Sequence, residues 1–219
     1  MRTPRLTDTA YHPNGRLAHR YEYSGGTVLA HDSARTALLV IDLLGDQSLS
    51  EAEKLAVMGQ LVLAEPEPAE MDPDDLVDAL DAVLWDMAGI DLTGTRETEG
   101  GGVRAFDWDE DQARIRASLL MAYGLDWEDA SRRYTFAEVC DLLAMLCETD
   151  TKTPFSEAVY YRTAQPPKRT PTNGDYVDAW KANQRRYRLG GEPTEMERRR
   201  EAEAAAKAFD SLWRAANGG

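Results

Sequence analysis

Helix-starting signals punctuate this chain from residue 33 onward, and they constrain its fold more than any other feature. An N-cap side chain accepts a bond from a free N–H of the first turn. A Glu three residues later returns a bond to the cap. Ser50 with Glu53, Thr135 with Glu138 and Thr194 with Glu197 have that spacing. Asp72 precedes Pro73 and Thr153 precedes Pro154, and proline suits the first helical position because its missing N–H is not needed there.

Apolar residues behind these caps recur with the helical period. Leu55, Met58, Leu61 and Val62 follow Ser50. Leu76, Leu80, Val83, Leu84 and Met87 follow Asp72, which places Asp74, Asp78 and Asp81 on the solvated side. Val139, Leu142, Leu143 and Leu146 follow Thr135. Further helices are predicted over 33–44, ending at Gly45, and over 154–161. Another is predicted to start at Asp107 and run to Tyr123, with Trp108, Ile115 and Leu119 inward and Gly124 as its stop.

The first 30 residues lack this period. Tyr21-Glu22-Tyr23 and Thr27-Val28-Leu29 flank Ser24-Gly25-Gly26 and read as a short hairpin. The predicted fold is therefore mainly α: a helical bundle with a short N-terminal β-hairpin and an extended C-terminal helical tail. Three segments are expected: a β-rich segment over 1–32, an acidic helical core over 33–163, and a linker with basic helices over 164–219. Within the last, 163–174 is rich in Pro, Thr and basic groups, and 175–189 reads as a basic helix. Gly190-Gly191-Glu192-Pro193 breaks it before a final helix to about residue 216. Residues 93–104 contain Gly100-Gly101-Gly102 and read as a flexible loop.

Charge is unevenly spread. The net charge is −14, yet residues 37–161 carry 28 acidic and eight basic groups, a net −20. Residues 1–36 carry a net +2, and residues 162–219 a net +4. A block of −20 repels nucleic acid and anionic membranes, so neither is an expected partner. No apolar run approaches the roughly 20 residues that a membrane span needs. Cys140 and Cys147 stand about 10 Å apart along a helix, too far for a disulfide, and read as small buried hydrophobes.

Catalytic and metal motifs fail on specific positions. Asp107, Asp109 and Asp111 have calcium-loop spacing, but Gln112 stands where the turn needs Gly, and Ser118 where it needs a bidentate Glu. Helix capping explains these acids better than a metal-dependent hydrolase does. His12, His19 and His31 form no helical pair and read as surface residues. No phosphate loop or nucleophile elbow is present. No cofactor, no metal and no catalysis are expected. Protein binding is the expected activity. Phe209, Leu212 and Trp213 form an apolar patch at helical spacing, and Arg185, Arg186 and Arg188 form a basic run. Both are candidate contacts with a partner or a sister subunit.

Several motifs together carry a resemblance. They are Asp107 with Asp111, then Tyr123-Gly124-Leu125-Asp126-Trp127, the segment from Tyr134 to Phe136, Asp150-Thr151, Phe155, and Tyr161-Arg162. This pattern resembles the bacteriophage gene-product-fifteen family. Thr135-Phe136 stands where that family has a tryptophan pair. The resemblance implies a tail assembly chaperone of long-tailed phages. Such a protein binds the tape-measure protein, keeps it soluble and recruits subunits of the major tail tube protein. It implies a place in the host bacterial cytoplasm and absence from the mature virion. The charge partition adds self-association, with a basic tail meeting a neighbour's acidic body and winding into a spiral where it does not close. An acidic DNA mimic and a structural or connector protein of the phage are the alternatives.

Overall fold

The computed structural model describes residues 11–96 and 105–190. The chain divides into two compact units, residues 1–164 and residues 165–219. Among the described residues there are eight α-helices and one three-stranded sheet. The fold is mainly helical, with the sheet near the N-terminus, as predicted.

Strands β1 (His19–Tyr23) and β2 (Gly26–Ala30) pair antiparallel, with His19 opposite Ala30 and Tyr23 opposite Gly26. Ser24 and Gly25 make the turn. A Cβ on Gly25 would stand 2.6 Å from the Tyr23 ring and 2.9 Å from the Asp75 carboxylate, so any larger residue would have to push those side chains aside. Strand β3 (Leu63–Glu65) adds to the other edge of β2, and periodicity did not predict it.

Caps set the helix starts. Ser33 accepts from the Thr36 amide at 3.3 Å and opens α1 (Ala34–Gly45). The reciprocal box of Ser50 and Glu53 opens α2 (Glu51–Val62). Asp72 caps α3 (Pro73–Ala88), which stops where Gly89 adopts φ 68°. The helix α4 (Gln112–Tyr123) stops at Gly124, whose φ is 66°. Asp126 caps α5 (Trp127–Arg133), a short helix that was not predicted. Thr135 and Glu138 box the start of α6 (Phe136–Glu148). Thr153, paired with Ser156, opens α7 (Pro154–Thr163).

Two apolar clusters hold the first unit. One joins Tyr21 and Val28 of the sheet to Val40 of α1, Met58 and Val62 of α2, and Leu80, Val83 and Leu84 of α3. The other joins Ala34 to Ile115 and Leu119 of α4, Val139, Leu143 and Leu146 of α6, and Phe155 of α7. Each fully buried aliphatic side chain contributes about 1.5–3 kcal/mol. Trp108 packs against both clusters.

Several solvated positions prove to be covered. Asp81 is buried, because the chain after α3 folds back over it. It accepts from the Leu92 and Thr93 amides and pairs with Arg96 at 2.6 Å. Arg96 also lies 4.8 Å over the Trp85 ring. Asp91 accepts from the Gly94 and Arg96 amides. Residues 93–96, expected as a flexible loop, are thus tied down. Residues 97–104 lie outside the described residues. His31 is buried, not on the surface, and its pKa is lowered by burial and by Arg16, against the Leu17 carbonyl. His19 is half-buried and meets the buried Asp32 at 2.7 Å. Cys140 is half-buried, and burial beside Asp141 pushes its thiol up to about 11. Cys147 is exposed instead.

In the second unit α8 (Gly174–Arg186) turns Val177 and Trp180 to one side, both buried. The segment before it is held by local bonds. The Asn173 side chain accepts from the Thr170 amide at 2.6 Å, and Arg169 forks onto Asp178 at 2.8 and 3.2 Å.

Candidate functional site

The acidic run from Asp107 to Asp111 is where sequence and structure differ most usefully. It was predicted as the first turn of a helix. It forms instead a separate turn, and α4 begins at Gln112. Asp107 accepts from the Asp109 and Glu110 amides, both at 2.8 Å, which closes that turn. Asp111 follows with 0% exposure.

Asp111 is not a solvated helix-start acid. Arg162 of α7 forks onto both of its oxygens, at 2.6 and 3.0 Å. Arg114 adds a bond at 2.7 Å, and the Asp107 amide donates at 3.1 Å. Burial pushes the Asp111 carboxyl up, but Arg162, the Asp107 amide and Arg114 outweigh it and hold the group below its usual range. Arg162 also donates to the Ala105 carbonyl at 3.1 Å. Two motifs read separately in the sequence are therefore one contact, which pins the 105–111 segment onto α7.

This pinning aims Trp108. Its ring lies edge-on to Phe106 at 5.1 Å and tilted to Phe136 at 5.3 Å. Phe106 meets Phe155 at 5.5 Å. The exposed side of Trp108 borders a cleft of about 340 Å³ between α1 and α4. Leu38 and Ile41 of α1, Trp108, Ile115 of α4 and Trp127 of α5 give it an apolar floor. Asp42, Asp107 and Asp109 give it an acidic rim, with Gln112 and Arg116 on the α4 side. The volume is at the low end for pockets that engage ligands. Apolar side chains elsewhere on the first unit are exposed as well: Leu120 at 58% and Met121 at 64% on α4, and Met145 at 50% on α6.

An apolar floor with a carboxylate rim is a surface suited to binding. Among the described residues no group of three or more His, Cys, Asp or Glu could hold a metal ion. Among them, too, no helix is long and apolar enough to cross a membrane. The cleft itself was not foreseen. Its one sequence signal was the pair of tryptophans, Trp108 and Trp127, each beside acidic residues.

The residues singled out from the sequence lie elsewhere. Arg185 and Arg186 end α8, with Arg188 just beyond, and all three are exposed. The Arg186 guanidinium lies 5.5 Å over the Tyr187 ring. Phe209, Leu212 and Trp213 lie outside the described residues.

Comparison with known proteins agrees with the motif pattern. The family model described as Bacteriophage Gp15 protein matches residues 14–189. No curated protein and no solved structure matches the chain. The matched span includes the hairpin, all eight described helices and the Asp111–Arg162 contact. The chain belongs to the bacteriophage Gp15 protein family.

Proposed function

We propose that this protein is a tail assembly chaperone, which binds the tape-measure protein, keeps it soluble and brings tail-tube subunits to it. The observation that carries this reading is the open cleft with an apolar floor and an acidic rim. A tape measure is a long helical protein whose apolar stripes aggregate unless covered. A groove between helices takes the apolar face of such a helix. The −20 of residues 37–161 keeps the covered client dispersed. Membership of a phage family supplies the setting. The protein acts by binding, without a cofactor, in the host bacterial cytoplasm, and leaves before the virion is complete.

Co-expression with the tape-measure protein of the same phage tests this. The expected result is a soluble tape measure that co-purifies with this chain, which mass spectrometry then finds missing from finished particles. A tape measure that stays insoluble and unbound would overturn the proposal. A copy retained in every virion would point to a structural connector instead.

A further inference from the structure

We propose that the cleft between α1 and α4 takes one large apolar side chain of a partner helix that carries Lys or Arg one turn to either side. The inference rests on the chaperone reading only for the identity of the client, and it adds the chemistry of the segment recognised. The floor, made by Leu38, Ile41, Trp108 and Trp127, offers aliphatic and aromatic surface. Its volume of about 340 Å³ is small, which suits one anchoring side chain from the apolar face of the client helix.

The rim decides the charge of the partner. Asp42 stands on α1 and Asp109 on the 107–111 turn, so two separate elements each bring a carboxylate to the cleft. Both are exposed, and among the described residues neither carboxylate has a hydrogen bond or ion pair. Asp107 differs, since its carboxylate is committed to the turn. Among the described residues Arg116 is the one base that lines the rim. A nucleic acid or an acidic peptide would meet repulsion here, and an uncharged apolar molecule would leave both carboxylates unused. A helix places residues one turn apart at a step of about 5.4 Å, so long basic side chains beside an anchor reach outward to such a rim.

The test titrates the full-length protein with labelled, tryptophan-free, alanine-based helical peptides. One carries a central Phe with Arg four residues before and after. A second has Glu in place of each Arg, and a third has Ala in place of Phe. Fluorescence anisotropy is expected to show binding of the first, about tenfold weaker binding of the second, and none of the third. The doubly substituted Asp42→Asn, Asp109→Asn protein should bind the first peptide about tenfold more weakly. Asp141→Asn with Glu148→Gln removes the same charge from exposed sites on α6 and should leave binding unchanged. Equal binding of the Arg and Glu peptides, or an unaltered affinity in the Asp42, Asp109 variant, overturns the assignment. The two proposals fail separately. A wild-type chain that binds the Arg peptide but no tape measure sinks the chaperone reading alone. A tape measure held equally well by the Asp42, Asp109 variant sinks the cleft assignment alone.

Discussion

A carboxylate without solvent contact must find every bond it needs from the protein, and Asp111 does so through Arg162, Arg114 and the Asp107 amide. Replacing it with Asn leaves the Arg162 guanidinium buried and short of its charge partner. Asp111→Asn is expected to cost about 3–5 kcal/mol in urea unfolding. The pH dependence follows from the lowered folded-state pKa of Asp111. Its contribution is fully present above the unfolded value near 3.8 and is lost as pH falls through the lower folded value. The wild type should therefore lose stability on acidification below about pH 4 by a component that the Asn variant lacks. The sequence displayed the acid and the arginine but not their pairing. They stand 51 residues apart, and local spacing carries no trace of which distant groups meet. Asp81 was misplaced for the same reason, since the cover over it comes from the chain beyond α3.

Local chemistry made many of the helices legible. The boxes at Ser50 and Thr135 need residues only three apart, and both form as predicted. They differ in surroundings, because Ser50 is exposed whereas Thr135 is buried beside Ser33. Ser50→Ala is expected to cost about 1 kcal/mol and Thr135→Ala about 2 kcal/mol, measured by thermal unfolding. Equal losses would mean that burial adds nothing to the cap. Three elements were beyond this local reading. Strand β3 has three residues, too few for a period, and exists because β2 has a second edge to pair. Helix α5 spans seven residues, barely two turns. The start of α4 was placed five residues early, because an acidic run caps an isolated turn as well as it caps a helix.

Across the whole chain, charge was readable but the cleft was not, since it is made by three helices and a turn that sequence distance separates. The partition of −20 over residues 37–161 and +4 over residues 162–219 bears on self-association. If tails meet neighbouring bodies, light scattering should find higher oligomers of the full-length protein and none of chains ending after Thr163. Raised salt should dissolve those oligomers too, because exposed charges are screened beyond a Debye length of about 10 Å at 0.1 M. Unchanged oligomer size in both conditions would sink the idea. The Arg162 fork has a consequence in time as well. A ribosome adding 5–20 residues per second makes Asp111 roughly 3–10 s before Arg162. During that interval Arg114 is already present, but the bidentate partner does not yet exist. The first unit thus stays unsealed on the ribosome until its own last helix has been made, and the final residues of α7 are its closing stitch.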